Sequence, residues 1–359
     1  MTLKAPAVRQ SAAQPAEARP EGPAAAEPRA LPADVPGLPD VLAAAARLRG
    51  MILNTELRRD EFLSRRLGAP VWLKLENRQL TGSFKIRGAA NKLLSLTDQQ
   101  RRRGVVAFST GNHGRAVAAV ARQLGVTATV CLSRRAPTFR VEALRALGAE
   151  TVVHGESQDE AMVKAFELQK ERGLTMVAPF DDPHVIAGQG TTVLEIFERL
   201  PDLGGLVVPL SGGGLFAGAA LTARALNPAV QTFGVSMAVA PAMIRSLEAG
   251  RPVEIPEVDS LADALLGGVG LDNRYTFELT RRCLTRSALV DEDEIARGMI
   301  HAFERERLLA EGSGAVGLAA LLADKIDYAG PGPLAVIVSG GNLDPWRLHE
   351  LAGAGRGTA

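Results

Sequence analysis

The sequence predicts an α/β fold of two domains with mostly parallel sheets, and three observations predict it. At 359 residues the chain exceeds what one hydrophobic core usually serves. Short apolar runs alternate with helical patterns, the arrangement of a parallel sheet covered on both faces. Glycine-rich or polar clusters follow three of those runs: STGNHG (109–114), SGGGL (211–215) and SGGN (339–342). In such sheets ligands sit at the carboxyl ends of strands.

Taken in order, residues 1 to 38 hold 11 Ala and 7 Pro and no aromatic residue, too little apolar surface to offset ordering entropy, so a disordered tail is expected there. The tail lacks the continuous apolar core of a secretory signal, and Glu17, Glu21 and Glu27 argue against an organelle transit peptide. Asp40 is a plausible N-cap, with Val41, Ala45 and Leu48 following at helical spacing. VWLKL (71–75) predicts a strand, and TGSFKIRGAANKLLSL a tight turn into a helix with Ser83 near its N-cap. VVAFST (105–110), TATVCLS (127–133), TVVHG (151–155), MVAPF (176–180), GLVVPL (205–210), QTFGVSM (231–237) and LAVIVSG (334–340) predict further strands, with helical patterns between them. No run approaches the length of a membrane span.

Composition narrows the function classes. Lys plus Arg, 41, almost cancels Asp plus Glu, 40, so no basic field exists to hold nucleic acid or anionic lipid. Cys131 and Cys283 are the two cysteines, too few for a disulfide framework or a zinc site, and they fit a reducing cytoplasm.

Lys85 stands between Phe84 and Ile86, both core-like residues, at the start of a helix. A lysine crowded there should have a lowered pKa and a nucleophilic amine, because desolvation disfavours the ammonium form. On this segment alone, a lysine lying along the surface with its ammonium in water remains open. SGGGLFAG (211–218) joins a strand to a helix, where backbone amides and the helix dipole favour phosphate. A P-loop would need Gly-Lys-Ser/Thr, which does not occur. Gly212, Gly214 and Ala217 formally satisfy the dinucleotide fingerprint, but no Asp or Glu lies between Ala219 and Leu247 to bind a ribose. A cofactor with a phosphate and no ribose fits better.

The segments LKLENRQLTGSFKIRGA, FSTGNHGRAVA, VEALRALGAE, IAGQGT, PLSGGGLFAG, ADALLGGVG, EGSGAVGLAAL and VIVSGGN, in that order over roughly residues 40 to 345, resemble the fold-type II pyridoxal-phosphate enzymes. They are most similar to the serine/threonine dehydratase branch. Within it, STGNHGR and GGVGLDNRYTF are similar to the hydroxyectoine-utilisation dehydratases. The resemblance implies a tryptophan synthase beta-like fold, with a large domain of residues 40–103 and 183–350 and a small domain of 104–182. It implies pyridoxal 5'-phosphate as cofactor, an amino acid as substrate, a homodimer, and β-elimination of a β-hydroxy amino acid to a 2-oxo acid and ammonia. β-Replacement, racemisation and non-catalytic cofactor binding are the alternatives.

The resemblance also implies roles. Lys85 becomes the Schiff-base lysine, with Phe84 beside it at the cofactor. Asn112 meets the ring hydroxyl; Ser211, Gly212, Gly213, Gly214 and Leu215 cradle the phosphate; Ser339 meets the pyridine nitrogen. Ser109, Thr110, Gly111, Asn112 and His113 surround the substrate carboxylate. Thr110 stands where racemases of this fold carry a serine base, and is counted with Lys85 as catalytic. Without the resemblance, Asn112 and Ser339 are equally well read as turn residues and His113 as a packed or solvent-facing histidine; Glu311, after Leu308-Leu309, could hydrogen-bond near the imine or equally stand exposed ahead of a helix. Many relatives bind a divalent metal through carboxylates where this chain has Ser236 and Ala242, so no metal is expected there. Ala262-Asp263-Ala264 replaces the family's Ala-Asp-Gly. The sequence ends soon after SGGN, so no C-terminal regulatory domain is expected.

Overall fold

The computed structural model describes residues 30–109, 111–256 and 258–356. It contains β1 (Leu57–Asp60), β2 (Val71–Lys74), β3 (Val105–Phe108), β4 (Ala128–Leu132), β5 (Glu150–Val153), β6 (Thr175–Met176), β7 (Gly205–Pro209), β8 (Gln231–Met237), β9 (Arg286–Val290) and β10 (Leu334–Ile337). They form two sheets. One has six strands in the order β1-β2-β10-β7-β8-β9, and the other four in the order β5-β4-β3-β6. Every pairing is parallel except β1 with β2. The chain leaves the larger sheet after β2, builds the smaller one, and returns at β7.

Parallel strands need crossovers, and here helices supply them and cover the larger sheet on both faces. Successive side chains of a strand point to opposite faces. Val207 and Val336 therefore join one core with Val316, Ala319 and Ala320 of the helix Gly312–Leu322. Their neighbours Val208, Ala335 and Ile337 join a second core with Val193 and Ile196 of the helix Pro183–Arg199 and Phe216 of the helix Gly214–Leu226. The smaller sheet buries Val105, Ala107 and Val130 against Ala116, Val117 and Val120 of the helix Asn112–Leu124.

The structure departs from the sequence reading in four places. The first helix runs Leu38–Leu48 from an N-cap at Gly37, and Asp40 sits at its third position, accepting from the Gly37 amide at 2.9 Å. Residues 1–29 of the expected tail lie outside the described residues, but 30–38 are ordered. Leu31 and Val35 pack against Ile186, Ala217 and Leu279, and Tyr275 donates its hydroxyl to Asp34 at 2.6 Å. β1 and β9 have no counterpart in the sequence reading: LRRD is polar, and in RSALV two exposed residues precede a run of only three apolar ones, so both edge strands lack the apolar length of the inner strands. The strand expected at 176–180 is only Thr175–Met176, whereas the helix after the TGSF turn begins at Lys85 with Ser83 next to its N-cap Phe84, as expected. Among the described residues no helix is long and apolar enough to cross a membrane.

The helix Lys85–Leu94 lies against Pro183–Arg199 at backbone contact distance. A Cβ on Gly188 would stand 2.6 Å from the Arg87 carbonyl oxygen. Gly188→Ala should therefore force the two helices apart and lower stability by about 1–3 kcal/mol. A thermal melt checks this, and an unchanged midpoint would mean that the helices separate freely.

Candidate active site

The carboxyl ends of β2, β3, β6, β7 and β10 converge, and the loops that leave them carry nearly all the residues singled out above. After β2, the TGSF turn pairs Ser83 with Gly340 in an isolated bridge, and the Phe84 amide donates to the Ser339 carbonyl at 3.0 Å. This fixes the start of the lysine helix against the end of β10. Lys85 projects its amine to the Pro179 carbonyl at 2.7 Å, with the Phe84 ring centroid 5.2 Å away. Burial lowers its pKa from 10.5 to about 8. The surface-lying lysine left open by the sequence is not what the fold builds.

Pro179 belongs to the segment that continues β6, and this segment touches three parts of the site. His113 shares a hydrogen bond of 2.7 Å with the Val177 carbonyl, so its Nε2 carries the proton and donates. Burial, and then the nearby Lys85 charge, push the imidazole down to about 3, which keeps it neutral. Phe180 lies against the glycine loop: a Cβ on Gly212 would meet its ring at 2.5 Å, and one on Gly214 its Cα at 2.8 Å. The same short segment thus brings Lys85, His113 and the glycine loop together.

In that loop Gly213 has φ of 89°, a left-handed conformation that side chains resist, and it caps the helix Gly214–Leu226. The first amides of a helix have no intrahelical acceptor, so those of Gly214 and Leu215 are available to an anion. Ser83 Oγ and Thr280 Oγ1 are buried without a hydrogen-bond partner, and Thr280 Oγ1 is 3.2 Å from where a Gly213 Cβ would stand. A free helix N-terminus, an unsatisfied hydroxyl at Thr280 beside it and a lysine amine of lowered pKa fit a phosphorylated aldehyde such as pyridoxal 5'-phosphate. Ser211 and Leu215 flank the glycines, and Ser339 is buried, its hydroxyl 3.5 Å from the Ser313 carbonyl.

On the other side, Gly111 is the N-cap of the helix that opens with Asn112, and its amide bonds Ser109 Oγ at 3.2 Å. Thr110 lies outside the described residues. Asn112 donates to Glu311 at 2.6 Å and accepts from the Asn342 side chain at 2.7 Å, while the Asn342 amide donates to the second Glu311 oxygen at 3.1 Å. Glu311 is 5% exposed, not the surface residue that the sequence allowed. Burial first, then the charge of Asp263, raises its carboxyl to about 7. Ser236 and Ala242, the positions doubted as metal ligands, are both buried. Among the described residues one group of possible ligands stands apart at the β1 edge, where His301 meets Asp60 at 2.8 Å beside Glu306.

Residues 48–340 match the family model of the pyridoxal-phosphate dependent enzymes. The chain is 42% identical over 318 residues to an L-threonine ammonia-lyase of Thermotoga maritima, with 89% of this chain and 78% of that one covered. Among solved structures it is similar to the processed form of threonine deaminase isoform 2 from Solanum lycopersicum, with a TM-score of 0.81 at 33% identity, covering 93% of this chain and 99% of that one. It is also similar to maize serine racemase, with a TM-score of 0.83 at 31% identity, covering 90% of this chain and 98% of that one.

The Glu311 carboxyl makes a pH prediction. Its folded pKa lies above the ordinary 4.5, so its contribution to stability is full below about 4.5 and is lost as pH rises through about 7. Melts of the cofactor-free protein should therefore show Glu311→Gln gaining stability relative to the parent between pH 4.5 and 7.5, by up to about 3 kcal/mol. A constant difference across that window would contradict the assignment.

Proposed function

The chain belongs to the pyridoxal-phosphate dependent enzymes, and we propose that within them it is a dehydratase-type ammonia-lyase, eliminating water from a β-hydroxy amino acid to leave a 2-oxo acid and ammonia. The observation that carries this reading is the half-buried Lys85 amine held at the Pro179 carbonyl, one residue from the Phe180 ring that packs on the glycine loop, with desolvation lowering its pKa to about 8. Lys85 would hold the cofactor, the amides of Gly212 to Leu215 its phosphate, Asn112 its ring hydroxyl, and Ser339 its ring nitrogen. When bound, the cofactor supplies an electron sink at the substrate α-carbon.

The protein's own part is positioning and proton transfer. Lys85 Nζ, in the unprotonated form that desolvation makes more accessible, takes the α-proton, and the β-hydroxyl leaves with a proton as water. The enamine released hydrolyses to the 2-oxo acid and ammonia. Ser339, a hydroxyl where a carboxylate would protonate the ring, favours prompt loss of the β-substituent over a long-lived carbanion. Ser109, Gly111, Asn112 and His113 line the substrate side, and Thr110, as second base, would give a racemase side activity. His113 is held neutral as a hydrogen-bond donor to Val177, which suits a wall of the pocket better than a proton carrier.

In this reading residues 104–182 form a small domain that closes over substrate. The pairs Asn112 with Glu311 and Arg140 with Asp263, the latter at 2.7 Å, are contacts that closure makes. Exposed Leu53, Leu80 and Leu309 suit a homodimer interface: Gln79, next to Leu80, bonds Leu53, and Asn77 bonds the Leu309 carbonyl. Buried free thiols at Cys131 and Cys283 suit the cytoplasm. The segment GGVGLDNRYTF is tied to the site through Asp181, which accepts from the amides of Arg274, Tyr275 and Thr276 next to Phe180. The likeness of that segment to the hydroxyectoine-utilisation dehydratases is what suggests a substrate like theirs.

Two measurements test this. Lys85→Ala, reconstituted with pyridoxal phosphate, should lose the visible absorbance of the attached cofactor and all turnover; a retained band would refute the lysine's role. Release of 2-oxo acid should be seen with at least one of serine, threonine, 3-hydroxyaspartate and a hydroxylated diaminobutyrate, without added thiol. Turnover that needs a thiol would assign β-replacement instead.

A further inference from the structure

The motif LKLENRQLTGSFKIRGA carries three charged residues that the proposed chemistry does not use: Lys74, Glu76 and Arg87. The fold buries all three with Glu195 of the helix Pro183–Arg199. Lys74, Glu76 and Arg87 are at most 1% exposed, and the Glu195 side chain is 13% exposed. Arg87 binds Glu76 through two parallel bonds of 2.7 Å and Glu195 through bonds of 2.6 and 2.8 Å. It also donates to Thr191 at 3.1 Å. Lys74 bonds Glu195 and the Thr55 carbonyl, and Thr55 donates to Glu76.

We propose that Arg87 and its carboxylate partners are positioning residues for Lys85, clamping the first turn of its helix so that the amine stays at the Pro179 carbonyl. Four physical points carry this. First, Arg87 lies in that first turn, two residues after Lys85, and two residues correspond to about 200° around a helix. The guanidinium is therefore gripped on one side while the lysine emerges from the other. Second, a planar guanidinium met by two carboxylates is fixed in direction as well as in place, which apolar packing does not achieve. Third, the partners come from the end of β2 and from the helix Pro183–Arg199, so the turn is tied to both the sheet and its cover.

The fourth point is charge. Two cations meet two carboxylates, so the set is neutral and lays no net field across the helix onto the amine. In agreement, burial is the one cause that lowers the Lys85 pKa. Within the network, burial works against Glu76, yet Arg87 holds its carboxyl below the ordinary value. The titratable groups facing the Lys85 pocket from elsewhere are His113, kept neutral, and Glu311 beyond Asn112. Loosening the clamp should let water reach the amine and return its pKa toward the ordinary lysine value.

The inference rests on Lys85 being the working lysine, but it is tested without cofactor or turnover. In cofactor-free protein, Lys85 is labelled by reductive methylation across pH 6 to 11 and its peptide quantified by mass spectrometry. The parent midpoint should lie near pH 8. Arg87→Lys keeps the charge but loses the fork, and Glu195→Asp keeps the charge but withdraws the carboxylate by one methylene. Each should raise the midpoint by about one unit or more, toward the ordinary lysine value. In the reconstituted enzyme each should lower kcat about tenfold or more, with KM changing little. Asp60→Asn breaks an equally buried pair at the far end of β2, and should lower Tm while leaving the Lys85 midpoint in place. Variants that fold and melt lower, yet label with the parent's midpoint, would overturn the proposal and leave the network a purely structural one. A parent midpoint near 8 with no cofactor attachment at Lys85 would sink the functional reading and not this one.

Discussion

A half-buried lysine amine whose one hydrogen bond is to a carbonyl is poorly stabilised in its charged form, and the rest of the site is arranged around keeping it there. The sheet edge is no place for such a group, because water would restore the charge. It sits instead where five strand ends converge and loops from both sheets close over it. The Phe84 amide ties the turn before it to β10, and the neighbouring helix approaches to backbone contact at Gly188. These constraints are mechanical, yet their product is chemical: a nitrogen that gives up its proton more readily than free lysine does.

Much of this could be read from the chain because the informative features are local. A strand, a run of glycines and a helix start lie within a dozen residues of one another, so spacing alone marks the strand-to-helix turn at 211–215. The odd placement of Lys85 between two apolar residues was likewise visible in nine letters of sequence. The inner strands were found because strands buried on both faces must be apolar throughout. By the same logic β1 and β9 escaped, since a strand at a sheet edge needs neither continuous apolarity nor alternation.

What stayed hidden depends on distant partners. Glu311 is 199 residues from Asn112, and nothing near it in sequence says that it is buried or that its carboxyl is raised. The clamp on Arg87 reaches 108 residues to Glu195, and in sequence an Arg and a Glu so far apart are simply two polar residues. Residues 30–38 look like the alanine and proline stretch they continue. They are ordered by Tyr275, more than two hundred positions away, which gives Asp34 a partner and Leu31 and Val35 a surface.

Of the four residues Val177 to Phe180, three rest against separate parts of the pocket: the Val177 carbonyl on His113, the Pro179 carbonyl on Lys85 and the Phe180 ring on the glycine turn. The run leaves β6 after Met176 and bends at Pro179, so each contact is set by its count of residues from the strand end. Inserting or deleting one amino acid in this run would misalign the imidazole, the amine and the glycine turn together, with no neighbour able to absorb the slip. Length variation among relatives should therefore collect on either side of this run and spare its interior, making it a ruler against which the remaining loops are free to vary.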